Sequence, residues 1–241
     1  MTTRLPVVRE YVDTVATTTF DRTRDSRFSY TCGRCGKCCQ HKVIRVGPYE
    51  VLRLARNRGL STTEFLHDHT EAGGTVLRVR EDFTCTFFTD QGCSVHADRP
   101  LVCRIYPLGW FRDGAGNETF GQVEGHPESK GVYGTDGTVA EYCASQGLEE
   151  YLRRAREYIA LHDRLLAVLQ RESTDEPAID LAKPRSEIDH LTPGELASRW
   201  LDVDSVVTAY CRSHDRPVPT DIDGMIDLHQ RALQEWAEGL G

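Results

Sequence analysis

The sequence has no run approaching the roughly 18 apolar residues that a membrane-spanning helix needs. Its first residues, MTTRLPVVREYVDTVATTTF, carry Arg4, Arg9, Glu10 and Asp13 where a secretory signal would have an apolar stretch, so the expectation is a cytosolic protein. A basic block is missing too. The net charge is −8, with 7 Lys/Arg against 15 Asp/Glu in residues 171–241 and 22 of each sign in residues 1–170. Sequence-independent nucleic-acid binding needs Lys and Arg to neutralise phosphate, so neither a nucleic-acid nor a membrane partner is expected. There is no Gly-x-Gly-x-x-Gly loop after a strand, and Gly114-Ala-Gly116 suits only a hairpin turn. A Gly-x-Ser-x-Gly elbow and a His-Glu-x-x-His zinc-protease motif are also absent, as are internal repeats.

What the chain does have is a core-forming composition, 39% hydrophobic and 27% charged over 241 residues, which excludes wholesale disorder. It also has nine cysteines, seven of them between positions 32 and 103. In a compartment that keeps thiols reduced, such a cluster points to metal or catalysis rather than disulfides, and an odd total argues against a complete disulfide set. The densest piece is Cys32-Gly-Arg-Cys35-Gly-Lys-Cys38-Cys39. Four cysteines separated by Gly, Arg, Gly and Lys cannot form an ordinary apolar face. Gly33 and Gly36 let the chain curl so that sulfurs converge, and Arg34 and Lys37 add positive charge that favours thiolates, or simply solvate the loop.

Cys85 and Cys93 flank Asp90-Gln91-Gly92, which reads as a tight turn between strands within Thr75–Arg80 and Phe83–Thr89 and beyond, bringing the two thiols together. Cys103 follows Arg99-Pro100, and Pro100 suits the first turn of a short helix. Cys32, Cys35 and Cys38 match the first three positions of a bacterial ferredoxin run, with Lys42 at the usual fourth. A fourth thiolate then comes from Cys39, Cys85, Cys93 or Cys103. Seven sulfurs exceed the four that one cluster or one zinc needs, which leaves two centres or several non-ligands open. His41 and His96 stand at mixed-ligand spacings from Cys39 and Cys93. Cys211, far from the cluster in helix-like sequence, reads as core, and Cys143 is left open.

Taken together, Cys32-x-x-Cys35-x-x-Cys38-Cys39, then Cys85, Cys93 and Arg99-Pro100-x-x-Cys103-Arg104-x-Tyr106-Pro107, closely resemble the CxxCxxCC family of zinc- or iron-chelating domains, to which flagellin lysine N-methylase belongs. The resemblance covers about residues 28–146. It implies metal held by Cys32, Cys35, Cys38, Cys39, Cys85, Cys93 and Cys103. Residues Gly125–Gly131 resemble a stretch that often reads Cys-Pro-Gly-x-Gly-Lys-Gly in longer relatives, which puts His126 in place of a cysteine and adds it to the metal set. Arg99, Arg104 and Tyr106 match the family motif. An arginine beside thiolates offsets their charge and donates hydrogen bonds, or it pins the loop by salt bridges and packing.

The pattern predicts an α+β, helix-rich fold: a small cysteine-rich metal-binding core with short β-hairpins, followed by helices. Residues 1–27 read as an extended or weakly helical lead-in. Pro48–Arg58 is a helix closed by Gly59, and Ser61-x-x-Glu64 and Thr138-x-x-Glu141 are capping boxes. Leu108–Arg112 and Glu118–Val123 form a hairpin. Leu148, Tyr151, Leu152, Ala155, Ile159, His162, Leu166 and Leu169 form the stripe of an amphipathic helix to about Arg171. The expected organisation is a metal-binding domain over 1–171, a linker over 172–191 and an acidic helical extension over 192–241. Within the last, one helix opens at Thr192-Pro-Gly-Glu195 and runs to about Arg212, and another carries Met225 to Leu240.

The functional expectation is a cytosolic protein with a cysteine-ligated centre, an iron–sulfur cluster of the 4Fe–4S kind before zinc, because the ferredoxin-like triple and the sulfur surplus exceed one simple zinc site. Two alternatives stand beside it. One is a protein lysine N-methylase that needs S-adenosylmethionine and acts on a protein substrate, which rests on the resemblance. The other is a zinc-stabilised structural or interaction module.

Overall fold

The computed structural model of the protein describes residues 18–172 and 200–239. In chain order its elements are β1 (Arg27–Thr31), α1 (Pro48–Arg58), α2 (Thr62–His69), β2 (Thr70–Glu71), β3 (Val76–Leu77), β4 (Phe88–Thr89), β5 (Gly92–Cys93), α3 (Leu101–Ile105), β6 (Leu108–Arg112), β7 (Glu118–Gln122), β8 (Val132–Thr138), α4 (Val139–Ser145), α5 (Leu148–Glu172), α6 (Val203–Ser213) and α7 (Ile222–Gly239). One-turn 3₁₀ helices lie at Lys37–Cys39 and His96–Asp98. The strands pair only in twos, giving the expected helix-rich α+β fold with small antiparallel hairpins.

The chain divides into two compact units. The first comprises the described residues up to Arg45 together with Val76–Tyr151, and the second comprises Val46–Thr75 together with the described residues from Leu152 onward.

The first unit holds all the clustered cysteines. β1 pairs antiparallel with β8, setting Tyr30 opposite Tyr133 and Thr31 opposite Val132. β6 and β7 form the expected hairpin, with Leu108 opposite Gln122 and Arg112 opposite Glu118. The Asp113 carboxylate closes its turn, accepting from Ala115 N at 2.9 Å and Asn117 N at 2.8 Å. Phe28, Leu108, Phe120, Val139 and Leu148 are its buried apolar centre. Thr138 caps α4, its hydroxyl accepting from Glu141 N while Glu141 accepts from Thr138 N, as the capping box requires. The strands expected over 75–80 and 83–89 are much shorter than the alternation suggested. Phe83 has φ 60°, and its N–H turns back to Arg80 O at 2.9 Å, so the extended run is broken by a turn, with a Val79–Cys85 bridge across it.

In the second unit Glu50 accepts from Gly47 N at 3.0 Å at the start of α1, and Gly59 ends it in the left-handed region. The helix expected up to Arg212 is interrupted at Asp202. That carboxylate caps α6 by accepting from Ser205 N and also takes the hydroxyls of Thr62 and Thr63 at 2.6 and 2.7 Å. The side-chain stripe of α5 also differs: Tyr158 and Leu161 are buried, whereas Ile159 is 36% exposed and His162 points outward. The reason is chemical. Arg154 is buried on that face through Asp223 and Asp227, at 2.8 and 2.7 Å, and Tyr158 Oη meets His229 Nδ1 at 2.8 Å. Polar side chains with partners thus take places that an apolar count cannot assign. The linker, the Thr192 capping box and Leu240 lie outside the described residues, as do residues 1–17.

Candidate metal centre

Strand β1 delivers Cys32, and the chain then curls. Gly36, at φ 72°, opens the 3₁₀ turn that carries Cys38 and Cys39, and Cys39 N donates to Gly36 O at 2.8 Å. Any Cβ at Gly36 would run into the Phe88 ring of β4, and one at Gly33 into the backbone of Lys130. The glycines of the motif are therefore points of close approach, as well as a left-handed hinge at Gly36. Cys85 N donates to Cys39 O at 2.8 Å, and Gln40 bridges Thr84, so the loop before β4 is laced to the end of the cysteine run. Cys93 sits on β5 opposite Phe88, and Cys103 lies on α3, its N–H held by Pro100 O at 2.9 Å.

This construction gathers five thiols from separate pieces of chain. Cys38 and Cys39 sulfurs are 4.0 Å apart. Four sulfurs around one zinc at about 2.3 Å would stand about 3.8 Å apart, so this pair is close to ligand spacing. Their shared contact holds Cys38 below its ordinary value, at about 7, with Lys42 and Arg99 acting in the same direction; the same contact and burial push Cys39 far up. Burial raises Cys85, and the charge of Cys93 adds to it. Burial also raises Cys93 and, most strongly, Cys103, which feels Cys85, Cys38 and Cys93 while Arg99 opposes the shift. Buried sulfurs that penalise each other's ionisation need a cation among them to ionise together, and a thiophilic metal supplies it. The donor set therefore fits zinc or an iron–sulfur centre. As the side chains stand, no group of three or more His, Cys, Asp or Glu among the described residues converges tightly enough to hold an ion.

Cys32 and Cys35 occupy a different position. Cys32 is exposed, and its sulfur accepts from Arg34 N at 3.4 Å. Cys35 accepts from Lys130 N, also at 3.4 Å. Burial works against its ionisation, but backbone donors from Lys130 and Lys37 prevail and hold its thiol below the ordinary value. All nine cysteines are free, and the remaining two are buried apart from the cluster, Cys143 on α4 and Cys211 on α6.

The residues flanking the thiols divide by role. Arg99 is half-buried, donates to Gln146 Oε1 at 2.8 Å and to His96 O at 2.6 Å, and lies among the charges that act on Cys38, Cys93 and Cys103. Arg104 donates to Gln146 O at 2.7 Å, to Ala97 O and to Tyr151 Oη at 3.2 Å, with its guanidinium 4.3 Å from the Tyr151 ring centroid. Its donors go to loop carbonyls and a ring. Tyr106 lies edge-on to Tyr30 at 6.2 Å, carries Lys42 Nζ at 5.8 Å over its ring, and accepts from Tyr142 Oη at its carbonyl. His41 stacks on Phe83, and His96 is turned to Arg99. His126 Nδ1 accepts from Glu128 N at 3.1 Å, and the residue lines an open groove of about 800 Å³ with Thr18, Arg22, Gln122, Ser129 and Tyr133.

Residues 31–127 match the CxxCxxCC family model, described as "Putative zinc- or iron-chelating domain". These residues are similar to a CxxCxxCC domain. No curated protein and no solved structure matches the chain. The matched span takes in all seven clustered cysteines and the Arg99–Pro107 segment and leaves out Cys143 and Cys211. Partners of the CxxCxxCC domain that the residue pattern did not single out are Phe88, Gln146 and the tyrosines at 30, 133 and 142. Only their nearness to cysteines or to the arginine motif along the chain marks them in advance.

Proposed function

We propose that this chain is a cytosolic metal protein whose CxxCxxCC domain holds an iron–sulfur cluster, or failing that zinc, on four of the thiols Cys38, Cys39, Cys85, Cys93 and Cys103. The observation that carries this reading is the Cys38–Cys39 sulfur pair at 4.0 Å, with Cys85, Cys93 and Cys103 near enough for their charges to act on one another, beside the cations Arg99 and Lys42. Burial selects against bare thiolates there and so favours a centre whose own charge balances them. Arg99 tunes that charge, and Arg104 and Tyr106 keep the α3 segment in place.

Purification without oxygen, followed by metal and acid-labile sulfide analysis and a visible spectrum on one sample, tests the proposal. Iron with sulfide and a broad brown absorption is the expected result. Stoichiometric zinc without colour moves the assignment to a zinc-stabilised module. Protein with neither, after reconstitution with either metal, would falsify the reading. The methylase alternative is decided on the same holo-protein by methyl transfer from S-adenosylmethionine to a lysine-bearing protein.

A further inference from the structure

Cys38 and Cys39 are neighbours in sequence, and their sulfurs are in contact at 4.0 Å. Adjacent side chains in a strand point to opposite faces; here the one-turn 3₁₀ helix Lys37–Cys39 brings the two sulfurs together instead. Both thiols are free and partly exposed, so a small oxidant reaches them. The pairing expected across the β4–β5 hairpin is not made in register, because Cys93 stands opposite Phe88 and not Cys85. The 3₁₀ turn is held by Cys39 N donating to Gly36 O at 2.8 Å and by a longer bond, Gln40 N to Lys37 O at 3.4 Å. Little hydrogen bonding therefore resists a rotation of the peptide that joins the two cysteines. A disulfide between adjacent residues closes an eight-membered ring. The Cα atoms across a trans peptide are about 3.8 Å apart, closer than the roughly 4.4–6.8 Å that unstrained disulfides span. Such a bond is strained, and strained disulfides are the ones that thiols readily reduce.

We infer that Cys38 and Cys39 form a reversible redox switch, closed by a peroxide to an adjacent-residue disulfide and reopened by a thiol reductant, which decides whether the protein can take up metal. This rests on the reading of the clustered thiols as the metal centre. The oxidation balances in two steps. One thiol takes an oxygen from hydrogen peroxide, becoming a sulfenic acid and releasing water; the neighbouring sulfur then displaces that hydroxyl, forming the S–S bond and releasing a second water. The two thiols lose two electrons, and the peroxide gains them. A dithiol reverses the change by exchange, giving its two electrons and two protons to the pair and closing its own disulfide. Of the five thiols proposed for the centre, a closed pair leaves Cys85, Cys93 and Cys103, one short of the four that a zinc ion or a cluster takes. Metal already bound to both sulfurs occupies the electron pairs that would attack the peroxide, so the switch acts on the empty protein.

The test uses the unmutated chain, so no variant has to fold. Metal-free, reduced protein is treated with one equivalent of hydrogen peroxide, freed of peroxide, alkylated with iodoacetamide and digested with trypsin. Cleavage after Lys37 and Lys42 puts Cys38 and Cys39 in one short peptide, residues 38–42, that holds no other cysteine. The expected product is this peptide two hydrogens lighter and unalkylated, with the other cysteines alkylated. A second portion, not alkylated, is mixed with Co²⁺, whose sulfur charge-transfer absorption reports thiolate ligation. The absorption seen with reduced protein should be lost after peroxide and should return after dithiothreitol. Alkylation of both cysteines in the 38–42 peptide, or a disulfide joining that peptide to another, overturns the switch and leaves the metal reading intact. A light 38–42 peptide in protein that still gives the full Co²⁺ absorption also overturns it, because the pair is then not needed for loading. Reduced protein that gives no Co²⁺ absorption at all ends both readings.

Discussion

Gly36 lies directly beneath the Phe88 ring, so the residue that turns the cysteine run into its 3₁₀ helix also seats that run on the β4–β5 hairpin. Gly36→Ala should be costly on two counts. The left-handed conformation costs an L-residue about 1–2 kcal/mol, and the new methyl group forces Phe88 and the hairpin that carries Cys93 to move. The expected outcome is a lower melting temperature together with reduced metal retention on gel filtration. Retention of the full metal content would show that the run and the hairpin need not stay in register.

Cys103 and Cys211 are both well shielded, but only Cys103 is among the mutually interacting thiols. Cys103→Ser should lower metal content and thermal stability together, because metal binding is coupled to folding energy. Cys211→Ser, in the other unit and with its thiol 3.5 Å from Pro217 O, should leave metal content at the wild-type level. Metal loss in the Cys211 variant would contradict the separation of the two residues.

Arg99 and Arg104 are five positions apart but should fail differently. Arg99→Gln removes a cation acting on Cys38, Cys93 and Cys103 and should weaken metal affinity by about 10- to 100-fold, the usual size for a group just outside the ligands. Arg104→Ala breaks donors to Gln146 O and Ala97 O and the stacking on Tyr151. It should cost about 2–4 kcal/mol of stability while metal stoichiometry per folded molecule is kept. A competition titration and a urea melt on both variants separate the effects.

His229 predicts how acid acts on the second unit. The side chain is fully buried, and burial depresses its pKa to about 3. Above its ordinary value the folded and unfolded chains are both neutral there, and pH has no effect through this group. Between that value and about 3 the unfolded chain takes a proton that the folded one refuses, so stability falls as pH falls, by about 1.4 kcal/mol per pH unit. His229→Gln should flatten this slope in urea melts across the window. An unchanged slope would assign the acid sensitivity to carboxylates such as Asp204.

Much of the local structure is legible in the sequence because it is decided by neighbours along the chain. Pro48 and Gly59 mark the ends of α1, Ser61–Glu64 and Thr138–Glu141 are capping boxes, and the Asp113–Asn117 turn closes β6–β7 as written. The fold class and the cysteine cluster follow in the same way. Distant partners decide what was not legible. The break at Asp202 depends on hydroxyls at Thr62 and Thr63, and the buried face of α5 depends on carboxylates at 223 and 227. Phe83, which reads as a strand residue, is instead placed in the left-handed region by its turn. At the site the cysteine run itself is legible, but its supports, Lys130 N on Cys35 and the Phe88 ring against Gly36, lie far from it in sequence.

The helical pair α1–α2 is inserted between the two halves of the cysteine-bearing unit, and this fixes an order of events during synthesis. Cys32 to Cys39 leave the ribosome first, and Cys85 follows 46 residues after Cys39. At ordinary elongation speeds that gap lasts roughly 2–10 s. During it the leading thiols are present without Cys85, Cys93 and Cys103, so a nascent chain passes through a stage when it can meet oxidants or stray metal ions with four of its seven clustered sulfurs made.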